Sequence, residues 1–442
     1  MFRHAFCYKE NVVITSGTGS GKTESFLLPL LAEIFNEAKS WEAPSYEKGA
    51  DWFDGTKYSP VQRKGEKRKS AMRAMVLYPM NALVEDQMSR LRKALDSDKV
   101  RRYFDSEEGL KGNRIYFGRY TGQTIGNKSY KIIQEEAVRQ QKNEILSDSE
   151  KRVAEELKTV YEKYANISTY YNKLSDEEKK KPNISDAPYV GTRLEKTNRT
   201  SEMVTRWDMQ VTPPDIMITN TSMLSIMLMR SAEENIFAQT LEWLQESEEH
   251  IFHLIIDELH LYRGTSGSEV ACLLRMLFLE LGLDPIEDEY GKKHRNPQLR
   301  ILASSASLGE PDATQKLLEE FFGVYNEDGT QAFYIQKGSD YRPENPGCEL
   351  DYKKFKSITP EFVAKTEEGK AEMTSMLFNQ YGCEDVDDFI SKYEKQIFMD
   401  FISVLEKNPD GSLRPICYSK LFGKENSLFD CEDSLRGFLI FR

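Results

Sequence analysis

The sequence is poor in cysteine, and the few cysteines are scattered. None of the six follows another at Cys-x-x-Cys spacing, so the sequence indicates neither a zinc site nor a disulfide framework. Reduced thiols in a cytoplasmic protein are the plain interpretation. The six positions are Cys7, Cys272, Cys348, Cys383, Cys417 and Cys431.

Long apolar runs are also missing. The best one, residues 270–283, is interrupted by Arg275 and Glu280, which suits a core helix packed under a sheet better than a membrane span. The first ten residues lack the apolar stretch of a secretory signal. We therefore expect a cytoplasmic protein without a membrane partner.

An excess of positive charge is absent too, since 72 acidic residues outnumber 60 Lys and Arg and leave a net charge of −12. This balance does not exclude nucleic acid, because loop amides, hydroxyls and a few cations can hold a phosphate backbone locally. It predicts weak binding that fades with salt. The basic run at residues 63–73 is either a phosphate-facing patch or a solvated charged loop, and the second is favoured because Lys-rich loops are common.

What the sequence does contain is a glycine-rich loop, TSGTGSGKTE at residues 15–24, between an apolar run and an amphipathic stretch. Strand, loop and helix in this order form a phosphate-binding loop, whose N–H groups and helix start attract phosphate oxygens. Lys22 is expected to reach the β- and γ-phosphates of ATP, and Thr23 to ligate Mg²⁺. The flanking patterns disfavour the alternative, a chance turn. The predicted nucleotide-binding set is Ser16, Gly17, Thr18, Gly19, Ser20, Gly21, Lys22, Thr23 and Glu24.

A second buried-strand pattern, which begins at residue 251, ends in acidic residues. Parallel α/β sheets place their catalytic groups at the carboxyl ends of the strands. Asp257 is expected to hold Mg²⁺ through water, and Glu258 to orient and deprotonate the attacking water. Solvated acids at a strand end are the alternative, which the phosphate loop upstream disfavours.

The residues Asp257-Glu258-Leu259-His260, together with the phosphate loop, resemble the amino-terminal RecA-like lobe of superfamily 2 DExH/DEAD-box helicases and translocases. Further segments follow in the family's order. Met80 stands where motif Ia usually has Thr. The segments are 77–87 (LYPMNALVEDQ, similar to motif Ia), 120–124 (YTGQT, motif Ib), 213–224 (PPDIMITNTSML, motif Ic) and 304–309 (SSASLG, motif III).

The loop GTGSGKTE, the Tyr-Pro form of motif Ia and the Tyr262-Arg263-Gly264 sequence after DELH resemble one bacterial group in particular. That group includes the mitomycin-repair helicases and the large helicases of anti-phage defence clusters. The resemblance implies an ATP-dependent helicase or translocase that acts on nucleic acid, with DNA expected rather than RNA.

The resemblance also implies roles for individual residues. Lys22, Asp257, Glu258 and His260 form the expected catalytic set, in which His260 couples hydrolysis to strand movement. The expected coupling segment is Ser305, Ala306 and Ser307, and the expected nucleic-acid contacts are Pro79, Asn81, Gln87, Thr121, Gly122, Thr219 and Asn220.

The second RecA-like lobe of a complete motor is not visible in the sequence. The Gln-x-x-Gly-Arg-x-x-Arg segment that would carry its arginine is missing, and residues 1–14 contain no Gln to read adenine. The resemblance therefore implies the first lobe of a longer motor, with the second lobe lost or on a separate chain. Two alternatives stay open: a P-loop ATPase subunit of a restriction or defence complex that does not unwind, and a non-catalytic remnant.

The predicted fold is α/β: a RecA-like P-loop domain over residues 1–340, with a parallel sheet and helices on both faces. Inserts are expected at about 40–70 and 126–205; the second is charged and helical, and a solvated layer is favoured over a strand-gripping clamp. A helical linker or auxiliary region is expected over 341–442, after loop-like residues 333–358. Predicted strands are 12–15, 74–78, 114–120, 216–219, 254–256 and 299–303, and predicted helices are 22–37, 82–95, 222–230, 268–281, 367–380, 386–407 and 413–441.

Overall fold

The structure is a computed structural model of the 442-residue chain. The chain divides into two compact units, Met1–Gly338 and Ser339–Arg442. The residues that the structure describes are 2–15, 22–45, 58, 60, 62–79, 81–126, 128–179, 184, 187–194, 200–262, 264–287, 293–306, 311–326, 331–337, 350–358, 371, 375, 377–384, 386–404, 406–407 and 413–414.

A parallel sheet organises the first unit. Its eight strands lie in the spatial order β10-β1-β9-β6-β2-β5-β3-β4, and every neighbouring pair is parallel. Parallel neighbours need crossover connections, which the helices supply. The strands of this unit are β1 (Asn11–Thr15), β2 (Ala74–Tyr78), β3 (Phe117–Arg119), β4 (Glu202–Met203), β5 (Ile216–Asn220), β6 (Phe252–Ile256), the separate antiparallel pair β7 (Ile286–Glu287) and β8 (Lys293–His294), β9 (Leu299–Ser305) and β10 (Phe333–Lys337).

Helices cover both faces of the parallel sheet, which confirms the predicted α/β class. A five-residue π-helical turn, Arg3–Cys7, precedes β1, and a 3-10 turn, Leu259–Leu261, follows β6. The α-helices are α1 (Lys22–Ala38), α2 (Asn81–Leu95), α3 (Asp98–Asp105), α4 (Tyr130–Arg139), α5 (Asn143–Lys173), α6 (Asp176–Lys179), α7 (Ala187–Val190), α8 (Arg206–Val211), α9 (Thr221–Met229), α10 (Glu234–Glu246), α11 (Gly264–Glu280) and α12 (Pro311–Phe322).

Alternate strand residues supply two hydrophobic cores, one on each face of the sheet. In β2, Met75 and Leu77 pack in the core that α9 to α12 share, whereas Val76 and Tyr78 pack in the core of α1 to α3. Since both faces are covered, the strands are apolar along nearly their whole length. The two cores fix the strands in a rigid platform whose carboxyl ends lie along one edge.

The apolar stretch at residues 270–283 is a core helix, as predicted. It lies largely within α11, where Val270, Leu274, Leu277 and Phe278 are buried. No helix in the described part of the chain is both long and apolar enough to cross a membrane.

The charged insert predicted for residues 126–205 contains the helical pair α4 and α5. A small core joins these helices to the main domain through Trp207 at the start of α8, with Ile133, Val153 and Leu157 among its members. The Trp207 indole N–H donates to the carbonyl of Lys128 at 2.7 Å. One boundary is corrected: Glu202 and Met203, placed inside the insert by the sequence, form β4 of the main sheet.

In the basic run at residues 63–73 the arginines are buried and paired, which neither interpretation predicted, whereas Lys64, Lys67 and Lys69 are exposed, as expected of a solvated loop. Arg68 donates hydrogen bonds of 2.6 and 2.7 Å to the two carboxylate oxygens of Asp215. Arg73 donates to Asp215 at 2.9 Å and to Glu37 at 2.7 Å, and the Arg63 side chain is fully buried. Arg73 and Asp215 directly precede β2 and β5, so this ion-pair group lies at the amino ends of the strands. It anchors the polypeptide before β2 to the sheet.

Residues 333–337, predicted as loop, form the edge strand β10, which pairs in parallel with β1. Their single apolar-polar alternation is short, so the pairing with β1 decides their conformation. This strand adds an eighth member to the sheet beside the phosphate-loop strand.

The second unit contains a six-residue 3-10 helix (Tyr352–Ser357), a π-helical turn (Leu377–Tyr381), α13 (Val386–Val404) and the antiparallel pair β11 (Glu406–Lys407) and β12 (Leu413–Arg414). The helix predicted over 386–407 therefore ends at Val404. The helix predicted over 413–441 is wrong at its start, where β12 lies, and its remainder falls outside the described residues, as does most of the helix predicted over 367–380.

Candidate active site

Four strands end side by side at the carboxyl edge of the sheet: β1, β9, β6 and β2. Thr15, the last residue before the predicted phosphate loop, is the register partner of Ser305 in β9. On the other side of β9 runs β6, which ends directly before Asp257. The Asp257 N–H donates to the carbonyl of Leu77 in β2 at 3.3 Å. Strand register therefore brings the start of the phosphate loop, the DELH segment and the segments resembling motifs Ia and III to one edge.

The predicted phosphate loop itself, residues 16–21, and the side chains of Lys22 and Thr23 lie outside the described part of the chain. Both residues begin α1. The first N–H groups of a helix have no partner within the helix and carry a partial positive charge. The roles assigned to residues 16–23 stay predictions.

Asp257 is buried, and its carboxylate is held in place from two sides. The Ser304 hydroxyl donates to its Oδ1 atom, and the Glu258 N–H donates to the same atom at 3.0 Å. The Glu258 N–H also lies 3.3 Å from the Ser304 oxygen. A fixed carboxylate at this edge is the hard oxygen donor that Mg²⁺ prefers, so the chemistry of the site fits the predicted metal.

Glu258 adopts a left-handed backbone conformation, with φ 53° and ψ 46°. A non-glycine residue in this region costs about 1–3 kcal/mol and persists only where its surroundings hold it. Here the two hydrogen bonds of its N–H group to Asp257 and Ser304 hold it. The turn interrupts strand geometry directly after Asp257, so the two adjacent carboxylates take different directions.

His260 links the DELH segment to the motif III segment. Its Nδ1 atom lies 3.2 Å from Oε2 of Glu258 and 3.3 Å from the backbone nitrogen of Ala306. A ring nitrogen donates a hydrogen bond when it carries a proton and accepts one when it does not. Nδ1 can therefore bond the Glu258 carboxylate or the Ala306 N–H, but not both at once. This geometry is suited to the coupling role predicted for His260 and Ala306.

Two buried tyrosines, which sequence reasoning missed, lie near Asp257. Burial raises the pKa of Tyr78 and of Tyr262, and the negative charge of Asp257 raises both further. Both phenols therefore stay neutral. Among the residues that the structure describes, neither hydroxyl has a hydrogen-bond partner. The only sequence signals were the Tyr-Pro pair of motif Ia and the Tyr-Arg-Gly sequence after DELH.

Glu24, predicted to belong to the nucleotide-binding set, is exposed and forms an ion pair with Arg90 of α2. Arg90 also donates to Asp86 at 2.9 Å, one turn away on the same helix. The structure thus shows the Glu24 carboxylate turned toward α2. Its direct contact with nucleotide stays a prediction.

The predicted nucleic-acid contacts lie at or near the same edge of the sheet but differ in exposure. Gly122 is exposed, with open space beside its Cα, whereas Pro79 and Asn220 are half-buried. Gln87 and Thr121 are buried. Asn81 begins α2; its side chain and all of Ser307 lie outside the described part of the chain.

The hydroxyl of Thr219 is engaged inside the protein, because it donates to the carbonyl of Tyr120 at 2.7 Å. Asn220 accepts a hydrogen bond from the Met223 N–H at 2.7 Å and so caps α9. A direct contact of Thr219 with a nucleic-acid strand would require its present hydrogen bond to break. In this conformation both residues shape the edge of the sheet.

The segment resembling motif Ib is held by buried residues of α8 that no sequence pattern indicated. The Arg206 guanidinium donates to the carbonyl of Thr121. The Tyr120 hydroxyl donates to Glu233 at 2.7 Å and accepts from the Gln210 amide at 2.9 Å. These contacts fix the loop that presents Gly122.

Residues 2–160 match the family model described as DEAD/DEAH box helicase. Over these residues the chain is similar to that family. The match agrees with the helicase family that the motifs resemble.

Over 357 residues the chain is 31% identical to Druantia protein DruE of Escherichia coli (strain UMEA 4076-1), a match that covers 76% of this chain and 17% of DruE. The chain thus spans about a sixth of the length of that relative. Among solved structures it is similar to the DUF1998 helicase MrfA bound to DNA, with 18% identity, a TM-score of 0.36, and coverage of 84% of this chain and 30% of MrfA. A second MrfA structure has 17% identity, a TM-score of 0.36, and coverage of 86% and 38%.

Proposed function

We propose that this chain is the ATP-binding lobe of a helicase or translocase that couples ATP hydrolysis to movement along nucleic acid, with DNA as the expected track. The observation that carries the proposal is the set of contacts among Asp257, Glu258 and Ser304 beside the strand that leads into the phosphate loop. They bring together the carboxylate proposed to hold Mg²⁺, a second carboxylate and the motif III segment at one edge of the sheet.

Each residue of the edge has a chemical task in hydrolysis. Lys22 would place its charge against the β- and γ-phosphates, and Thr23 and Asp257 would hold Mg²⁺, which offsets the phosphate charge when it is bound. Glu258 would accept a proton from the water whose oxygen attacks the γ-phosphorus, while the bond to the bridging oxygen of ADP breaks. The products are ADP and inorganic phosphate.

His260 would transmit a change of charge at Glu258 to the motif III segment. When its Nδ1 atom donates to Glu258, the bond from the Ala306 N–H is lost, because the two contacts exclude each other. A change of charge at Glu258 during hydrolysis would therefore change which segment His260 binds. This supports coupling through β9, whose end also borders Thr15.

The nucleic-acid strand would bind across the same edge of the sheet, past the exposed Gly122 of motif Ib and the start of α2. We propose that full turnover also requires a second RecA-like lobe, on another chain or in a longer form of this protein. An arginine placed against the transferring phosphate from outside is worth about 10³ to 10⁵ in rate in related nucleotide hydrolases. The chain alone should therefore hydrolyse ATP slowly.

The test is to measure Mg²⁺-dependent ATP binding, ATP hydrolysis with and without single-stranded DNA or RNA, and strand separation, all with the purified chain. We expect ATP binding, weak salt-sensitive strand binding, low turnover and no strand separation. Absence of ATP binding would refute the proposal. Turnover that depends on self-association and ignores both nucleic acids would replace it with a non-unwinding ATPase subunit. Robust unwinding that is lost in Lys22→Ala would overturn the requirement for a second lobe.

A further inference from the structure

Helix α2 connects the two parts of the proposed site, the nucleotide-binding part at the start of α1 and the nucleic-acid-binding part at motifs Ia and Ib. It begins at Asn81, within the segment that resembles motif Ia. It shares a hydrophobic core with α1, the helix that begins at the phosphate loop, through Val84 and Met88 of α2 and Phe26 of α1. A displacement of α1 on nucleotide binding would therefore be transmitted to α2 through this shared core, because closely packed interiors transmit strain.

On the side facing α1, α2 is tied by charges. The Arg90 guanidinium pairs with Glu24, in the first turn of α1, and donates to Asp86 of its own helix at 2.9 Å. The side chains of Arg90, Glu24 and Asp86 are 42%, 55% and 60% exposed. The contact therefore lies at the solvent-exposed border of the apolar packing between the two helices. It joins the helix turn next to Lys22 and Thr23 to the helix that begins with motif Ia.

On its other side, α2 is tied to the strand that leads into motif Ib. Glu85 accepts from Arg119 at 2.7 Å and from Arg92 at 2.9 Å. Arg119 is the last residue of β3, directly before Tyr120. The consecutive acids Glu85 and Asp86 thus lie in ion pairs that lead in opposite directions, one toward motif Ib and one toward the phosphate loop.

We propose that α2 couples nucleotide binding to strand binding through the ion pairs Glu24–Arg90 and Glu85–Arg119, so that Arg90 is a positioning residue for the strand-binding edge. The inference rests on the proposed function. Bound ATP adds negative charge beside the first turn of α1, which repels the Glu24 carboxylate and favours the orientation in which it is paired with Arg90. The pair would then hold α2 in one position. By linkage, a nucleic-acid strand bound at α2 would raise the affinity for ATP by the same factor.

The test is a double-mutant cycle in the full chain. Anisotropy of a fluorescein-labelled single-stranded oligo-dT gives the strand Kd with and without a non-hydrolysable ATP analogue and Mg²⁺. The ratio of the two values is the coupling factor. Glu24→Gln and Arg90→Gln should each lower this factor by about two- to fivefold, the range expected for an exposed ion pair. The double variant should be no worse than either single one, because both remove the same contact.

A matched control is the exposed pair Lys69–Glu246, 2.7 Å apart with side chains 46% and 43% exposed. Both residues lie near the amino ends of the strands, so Lys69→Gln and Glu246→Gln should leave the factor unchanged. Single variants at Glu24 and Arg90 with the wild-type factor, or effects that add, would overturn the inference. A wild type that binds analogue and oligo-dT independently would also overturn it while leaving the proposed function intact. A wild type that binds neither would refute the proposed function itself.

Discussion

Ser304 donates its hydroxyl hydrogen to a carboxylate oxygen of Asp257, and this contact joins two strands at the carboxyl edge of the sheet. The motif III resemblance had placed the coupling segment at residues 305–307. The residue that contacts Asp257 is one position earlier, at the point where β9 runs beside β6. Ser304 therefore orients the predicted metal-binding carboxylate.

We expect Ser304→Ala to weaken the Mg²⁺ dependence of ATP binding. Loss of a hydrogen bond to a charged group costs about 1.5 kcal/mol, so the half-saturating Mg²⁺ concentration should rise roughly tenfold. Fluorescent-nucleotide titrations at varied Mg²⁺ measure this. Ser304→Thr keeps the hydroxyl and should stay close to wild type; equal behaviour of the two variants would contradict the role of the hydroxyl.

Lys22→Ala should remove most of the affinity for Mg²⁺–ATP, because it deletes the charge opposite the phosphates. The loss of a charge-assisted contact predicts an affinity at least roughly 30-fold lower. Calorimetry on the purified chain measures it. Lys39→Ala, which removes an exposed lysine bonded to Asn36 just beyond the other end of α1, is the control that should bind normally. Equal affinities for Lys22→Ala and wild type would show that residues 16–23 do not bind ATP.

Glu258→Gln should separate nucleotide binding from hydrolysis. The amide keeps the size of the side chain but cannot take the proton from water, so turnover should fall at least about a hundredfold while ATP affinity stays within about twofold. Single-turnover hydrolysis, measured with the chain or with a reconstituted two-lobe motor, distinguishes the two quantities. Turnover at the wild-type rate would assign the general base to another group.

Asp215→Asn should destabilise the first unit without touching the nucleotide edge. Burial alone would raise the pKa of Asp215, but the charges of Arg68, Arg63 and Arg73 outweigh burial and hold the pKa below its usual range. Removal of one partner from a buried ion-pair group costs about 3–5 kcal/mol. The four tryptophans, at positions 41, 52, 207 and 243, all belong to this unit, so their fluorescence in urea reports its unfolding.

The same carboxylate predicts an acid-dependent loss of stability. Because the folded pKa is depressed, the stabilisation is complete above the unfolded pKa of about 4 and is lost progressively as pH falls below it. Wild type should therefore lose stability between pH 5 and pH 3 more steeply than Asp215→Asn. Parallel pH profiles for the two proteins would show that the carboxylate is not ionised in the folded state.

His253 predicts a separate effect at milder pH. Burial, aided by the charge of Arg300, lowers the pKa of His253 to about 3. The folded state thus keeps the ring neutral, whereas the unfolded chain binds a proton below a pH of about 6.5. Stability should fall from pH 6.5 downward, by up to about 1.4 kcal/mol per pH unit. His253→Gln should flatten this part of the profile.

The sequence by itself determined the class of fold, the order of the motifs and the resemblance to a helicase family. The apolar run at 12–14, the predicted phosphate loop after it and the strand that ends directly before Asp257 are contiguous patterns, and contiguous residues suffice to specify a strand, a loop or a helix start. The parallel arrangement then follows from alternation of strands and helices, and it places Asp257 and Thr15 at one edge before any contact is known.

Tertiary structure alone decided which side chains meet. Strand β4, two residues long, and edge strand β10 exist because distant partners pair with them, and neither is long enough to show a period of its own. The burial of Arg68 depends on Asp215, 147 residues away. Arginines of a run that is polar in sequence therefore anchor the polypeptide before β2 to the sheet. The contacts of Ser304 with Asp257 and of Glu24 with Arg90 likewise join remote segments, and local sequence patterns carry no signal for such pairs.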